Sequence, residues 1–164
     1  MKQILAADIG GTSSRFSRFE LSSAGNEPAG LRQCESVWLK TAEASSFAEL
    51  LESLRKQAFP LPIEAADAAA IAIAGPVEDG VRAYPPNISW TLDLDLLRNE
   101  LALPKTVLLN DFVAQAWAIC SPLGAQCEPV ITPPASRVRA DDVRVVIGAG
   151  TGLGKAIVVP VNGA

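Results

Sequence analysis

The stretch "LAADIGGTSSR", residues 5–15, decides how the chain is read. An apolar run, "QILAADI", closes on a carboxylate, Asp8, and Gly10, Gly11 and Thr12 follow. The run predicts a strand, the glycines a tight turn, and the alternating "SRFSRFEL" (14–21) a second strand returning beside the first. A core strand gains nothing from a carboxylate at its end. A Gly-rich turn, however, presents successive backbone N–H groups and, lacking Cβ atoms, lets an anion come close. Thr12 adds a hydroxyl donor. Asp8 cannot attract a phosphate, but it fits a divalent cation held between the carboxylate and the phosphates. On this stretch alone a plain β-turn, with Asp8 bonding local amides, remains the alternative.

A similar pattern returns at "VVIGAGTGLG" (145–154), where "VRVVIGAG" and "GKAIVVPV" read as two strands joined by a turn holding Gly150 and Thr151. Other nucleotide motifs fit poorly. A Walker loop needs Ser or Thr after its Lys, and Lys155 is followed by Ala156. A dinucleotide fingerprint would place its third glycine where Leu153 stands, and it would open a helix rather than a strand. The third informative stretch is "LLNDFVAQAWAI" (108–119). Asn110 suits an N-cap and Asp111 the first turn of a helix, which is one reading of the pair. The pair also stands at the C-terminal end of an apolar strand, where α/β sheets place ligands. A carboxylate there stays ionised and is poised to take a hydroxyl proton.

The intervening chain supplies the scaffold. "RQCESVWLK" (32–40) predicts a third strand, and "SSFAELLESLRKQAF" (45–59) a helix with Phe47, Leu50, Leu51 and Leu54 on one face. Its expected cap is Ser45 or Ser46 and its stop Pro60. "AAAIAIAG" (68–75) reads as a buried strand, "VEDGVRAYPPNISW" (77–90) as a loop or small hairpin, and "DLDLLRNELAL" (93–103) as a helix. "KTVLLN" (105–110) and "DFVAQAWAI" (111–119) complete a strand–helix unit. An antiparallel meander running into βα units builds a mixed sheet with helices packed on it. Residues 1–121 are expected to form one lobe. Residues 122–164 would be a Pro-broken linker and the first hairpin of a second lobe, with the stop at "NGA" reading as a cut.

Composition removes whole classes of function. The 164 residues are 49% hydrophobic and 20% charged, with mean hydropathy +0.23, as in a packed globular chain. A net charge of −4 without any Lys/Arg run argues against nucleic acid as a partner. The absence of histidine excludes Ser-His-Asp and Cys-His catalysis and His-ligated metals within this chain. Cys34, Cys120 and Cys127 have unrelated spacings and read as reduced thiols in the packing of a cytoplasmic protein. "MKQILAADIGG" reaches Asp8 too early for a signal peptide, and no run approaches the roughly 18 apolar residues of a membrane span. Trp38, Trp90 and Trp117 are expected to be packing anchors. Arg15 and Arg18 are read as solvated, with Arg15 close enough to the turn to help neutralise phosphate. Glu78 and Asp79 read as turn and surface residues.

Taken together, these residues resemble the bacterial glucokinases, of the superfamily that joins sugar kinases, actin and heat-shock chaperone ATPases. "ADIGGTSSR" is similar to the first phosphate loop, "AIAGPVEDG" with "NISWTLDLDLL" to the sugar-side segment, "LLNDFVAQAWAI" to the catalytic Asn-Asp helix, and "IGAGTGLG" to the second phosphate loop. The resemblance spans the whole chain but only about the first half of a family member. It implies an RNase H-like (actin-like ATPase) α/β lobe with a mixed five-stranded sheet and flanking helices. It also implies ATP and Mg²⁺ as cofactors, phosphorylation of the C6 hydroxyl of glucose, and a homodimer at full length. By position, Asp111 would be the base, with Asn87 and Asn110 holding sugar hydroxyls. Asp8 (facing the metal), Gly10, Gly11, Thr12, Gly150 and Thr151 would face the nucleotide phosphates. Ser13 stands where the family usually has Asn, and the family's Glu-Gly-Gly-His sugar segment does not occur in this sequence. A non-catalytic sugar- or phosphate-binding module and another actin-like ATPase are the competing readings. The presence of both Asp8 and Asp111 favours the kinase, and "NISW" with "ND" suits a small polar sugar. The fragment alone is expected to be inactive.

Overall fold

The structure is a computed structural model that describes residues 1–22, 30–131, 139, 142–149 and 153–161. Gly150 and Thr151 of the second turn lie outside the described residues. Strand β1 (Lys2–Ile9) pairs antiparallel with β2 (Ser13–Ser22), which pairs antiparallel with β3 (Gly30–Lys40). On its other side β1 runs parallel to β4 (Ala68–Ile73), and β4 runs parallel to β8 (Lys105–Asn110). The result is the expected mixed sheet, in the order β3-β2-β1-β4-β8. The parallel pairs require crossovers, which α1 (Phe47–Lys56) and α2 (Leu94–Glu100) provide.

One face of the sheet carries the core. Leu5, Ala7 and Ile9 of β1 share it with Phe16, Leu39, Ile71, Ile73 and Leu108, all buried. Phe47, Leu50, Leu51 and Leu54, spaced to fall on one side of α1, pack against it with Leu94 and Leu97 of α2. Ser46 is the cap of α1, accepting from the Glu49 N–H at 3.1 Å, while the Glu49 carboxylate takes the N–H and hydroxyl of Ser45.

Both of these helices stop short of the ranges expected from sequence. In α1 the chain turns off at Gln57, before Pro60 is reached. Ala58 adopts φ 53°, with Ala58 N bonded to Arg55 O and Phe59 N to Leu54 O. That is the two-bond C-terminal motif usually built on glycine. α2 ends at Glu100 because Leu101 is already extended, in the approach to Pro104.

Between β4 and α2, the strands β5 (Val77–Glu78), β6 (Arg82–Ala83) and β7 (Leu92–Asp93) form a small antiparallel sheet. Its hairpin turns at Asp79 and Gly80, both at positive φ (51° and 68°), as a primed turn requires. Trp90 is a buried anchor: its ring lies 6.4 Å from that of Phe47 and its Nε1 donates to Ala44 O at 3.0 Å.

The other two tryptophans are not anchors, contrary to expectation. Trp38 is 61% and Trp117 69% exposed, the first because it faces outward from the edge strand β3. Of the three free thiols, Cys120 and Cys127 are exposed rather than packed.

The chain divides into two compact units, Met1–Asp111 and Phe112–Ala164. The second contains the body of α3 (Asp111–Cys120), a 3₁₀ turn at Pro122–Gln126, and the hairpin of β9 (Arg144–Ala149) and β10 (Leu153–Val158). Within it, Gly148 and Gly154 face each other and seat the Phe112 ring. A Cβ added at Gly154 would fall 1.7 Å from that ring.

Candidate active site

The three parallel strands place their C-terminal ends side by side. Asp8 is level with Ala72, Ile9 with Ile73, and Ile73 with Asn110, so the Asp8–Thr12 turn, the Gly75–Pro76 bend and the Asn110–Asp111 pair share one edge. Sequence reasoning selects the Asp8–Thr12 turn and the Asn110–Asp111 pair from separate stretches, and strand register brings them to one edge.

The Gly-rich turn is closed by Gly10 N donating to Ser13 O at 3.0 Å. Thr12 O accepts from Thr41 N at 3.0 Å, and below it the buried hydroxyls of Ser14 and Thr41 meet at 2.6 Å. Gly11 has no room for a side chain, since a Cβ there would stand 2.9 Å from Asn87 Cβ and 3.0 Å from Asn87 O. The turn therefore abuts the segment that carries Asn87. That segment is itself pressed on Gly75, where a Cβ would come within 2.7 Å of Pro85 Cα. The Gly75 carbonyl in turn accepts from Asn110 Nδ2 at 2.9 Å. A continuous run of close contacts thus joins Gly11, Asn87, Pro85, Gly75 and Asn110. Gly75 and the Pro85–Pro86 pair are the parts of this run that sequence reasoning did not assign to the site. The Gly-Pro and Pro-Pro dipeptides marked them only as turns.

Asp8 reaches solvent, yet the protein around it removes part of its hydration. That desolvation raises its pKa above the ordinary aspartate value. The neighbouring Asp111 raises it further, and Arg15 pulls it down. Two carboxylates close enough to repel each other, at the mouth of a glycine turn, are an oxygen donor set suited to a hard cation. Among the described residues no group of three or more His, Cys, Asp or Glu could hold a metal ion alone. Mg²⁺ characteristically takes one or two carboxylates and completes its shell with waters and substrate phosphates. The two carboxylates would fit a Mg-nucleotide in that manner. Among the described residues no helix is long and apolar enough to cross a membrane.

Known proteins point the same way as the geometry. The Glucokinase family model matches residues 5–164. Glucokinase of Zymomonas mobilis is 36% identical over 162 residues, covering 98% of this chain and 47% of its own length. Glucokinase of Synechocystis is 34% identical over 162 residues, covering 95% of this chain and 43% of its own. Among solved structures, a glucokinase from an Antarctic psychrotroph superposes with TM-score 0.72 at 23% identity, over 99% of this chain and 48% of that one. The Balamuthia mandrillaris glucokinase, solved in complex with glucose, gives TM-score 0.67 at 24% identity, over 99% and 46%. The chain spans about half the length of the curated relatives it matches. With the Asp8–Thr12 turn and the Asn110–Asp111 pair at one sheet edge and the family model matched over residues 5–164, the chain belongs to the glucokinase family.

Proposed function

We propose that this chain is the N-terminal part of an ATP-dependent glucokinase that phosphorylates the C6 hydroxyl of glucose. The observation that carries the reading is the contact run from Gly11 through Asn87 and Gly75 to Asn110, which ties the phosphate-type turn to the sugar-type segment. Asn87 and Asn110 hold sugar hydroxyls and set the acceptor's orientation. Asp111 orients the C6 hydroxyl and accepts its proton as the oxygen attacks, which an ionised carboxylate can do late in a loose transition state. Gly11 and Thr12 offer N–H and hydroxyl donors to the phosphates, Gly10 lies beside them with its own N–H closing the turn on Ser13 O, and Asp8 faces the cation. Mg-ATP, held by these residues, would supply the transferable phosphoryl group and the cation's neutralising charge. Gly150 and Thr151 are assigned to the phosphates from the second lobe. Residues 1–121 belong to the first lobe and 122–164 begin the second. The compact units part ten residues earlier, at Asp111, because Phe112 packs on Gly148 and Gly154. The full-length enzyme is read as a cytoplasmic homodimer whose lobes close over sugar and nucleotide to exclude water.

The test joins residues 1–164 to the C-terminal remainder of Zymomonas mobilis glucokinase. Glucose-dependent ATP consumption is followed, and the product is identified by phosphorus NMR. Formation of a 6-phosphate is expected. A folded fusion that consumes no ATP with glucose overturns the reading.

A further inference from the structure

Arg15 has an arrangement that neither the phosphate turn nor the core explains. It lies directly across from Asp8 in the β1–β2 ladder and directly across from Trp38 in the β2–β3 ladder. Residues paired in this way share a face of the sheet. Asp8, Arg15 and Trp38 therefore form a row across three strands, on the face opposite the core. The guanidinium carbon sits 5.6 Å from the Trp38 ring centroid, and Arg15 Nε donates to Ser36 Oγ at 2.8 Å. Ser36 Oγ is also 2.9 Å from Ser17 Oγ, so the hydroxyl that receives Arg15 is itself held. Trp38 contributes little to the core, being 61% exposed. Its defined role is the stack under Arg15, a site geometry that favours Arg over Lys.

We propose that Arg15 is a positioning residue, clamped by Trp38 and Ser36 so that a fixed positive charge is held across the ladder from Asp8, on the same face of the sheet. The clamp restrains the long side chain, so the charge is in place before any ligand arrives. It offsets the mutual repulsion of Asp8 and Asp111, which would otherwise push the Asp8 side chain away from its place at the turn. The proposal rests on the assignment of the Asp8–Thr12 turn to a metal-phosphate group.

The 164-residue chain is titrated with Mn²⁺ in the presence of inorganic pyrophosphate, and free Mn²⁺ is read by its electron paramagnetic resonance signal. Thermal unfolding is recorded on every variant. Arg15→Met is expected to weaken binding about tenfold, the lower range for loss of a group that orients a metal ligand. Trp38→Ala should weaken it in the same direction without lowering the melting temperature. The double variant should bind no more weakly than Arg15→Met alone, because both changes break one unit. Arg15→Lys keeps the charge but not the planar stack, so it should fall between; it also serves if Arg15→Met does not fold. Loss of binding in Asp8→Asn with unchanged binding in Arg15→Met, or in Arg15→Lys where only that variant folds, overturns the inference and leaves the site standing. If the unsubstituted chain binds nothing, or Asp8→Asn binds normally, the metal-phosphate assignment falls and the inference with it.

Discussion

β1 runs into its glycine turn from the middle of a five-stranded sheet, whereas among the described residues β9 is paired with β10 alone. Leu5, Ala7 and Ile9 of β1 are buried, but Val145 and Ile147 of β9 are 56% and 67% exposed, with Leu153 and Ile157 of β10 also in solvent. Both strands are apolar, and both lead to Gly and Thr. What separates them is the number of elements available to cover them. The first unit brings two further parallel strands and two amphipathic helices to the face of β1. The hairpin has the Phe112 ring against its glycines on one face, while the other face carries those four exposed apolar side chains. A two-stranded ribbon is marginal by itself. Among the described residues, the first unit is thus the better-packed part of the chain.

The largest effect expected from this difference is on stability. Leu50→Ala empties a fully enclosed position under the sheet and should destabilise the chain by about 2–5 kcal/mol in urea unfolding. A loss under ~1 kcal/mol, well short of the usual cost of such a truncation, would mean that the core does not depend on α1.

Asp111→Ala, made in the fusion with the remainder of a relative, should lower kcat about a hundredfold, or ~2.7 kcal/mol of barrier. Sugar affinity should change less, since a group that accepts a proton late acts mainly in the transition state. Near-normal kcat would remove Asp111 from its role and with it the functional weight given to the first unit.

Asp8 gives a smaller effect of opposite sign. Its pKa is raised by desolvation first and by Asp111 second, so the folded chain binds the proton more tightly than the unfolded chain. Its contribution to stability is therefore present at low pH and is lost as pH rises from the ordinary aspartate pKa through the raised one. Above that window its ionisation works against folding. Asp8→Asn should remove this step and raise the melting temperature at neutral pH, while impairing use of the Mg-nucleotide in the fusion. A lower melting temperature with unchanged Mg²⁺ dependence would mark Asp8 as a residue that simply holds the turn.

The smallest effect is expected on the hairpin. Ile147→Ala, on its exposed face, should change the stability of the isolated chain by no more than about 0.5 kcal/mol. A loss approaching that of Leu50→Ala would show that the hairpin face is covered in solution, and the contrast between the units would disappear.

Much of the first unit was legible because its strand ends carry punctuation. Asp8-Ile9-Gly10-Gly11, Gly75-Pro76 and Asn110-Asp111 each mark where an apolar run stops, and helical spacing marked Leu50, Leu51 and Leu54. Helix ends were harder to read. Ala58 takes a left-handed conformation usually reserved for glycine, so the sequence pattern extends α1 toward Pro60. Exposure was harder still. The exposure of Trp38 follows from its place on the outward face of β3 and the burial of Trp90 from its packing on Phe47 and Ala44, neither of which a local pattern reveals. The contacts between Gly11 and Asn87 and between Gly75 and Pro85 join residues far apart in the chain, so the sequence marks both ends and not their meeting.

On the proposed function, the first unit holds one side of a site that the remaining length of a glucokinase completes. The direct measurement is glucose-dependent ATP consumption by the purified 164-residue chain, compared with Zymomonas mobilis glucokinase assayed alongside. Positioning between two lobes can contribute roughly 7–11 kcal/mol to a barrier, so the chain alone is predicted to show no appreciable turnover. Turnover within about tenfold of the relative, a barrier difference of only ~1.4 kcal/mol, would contradict the claim.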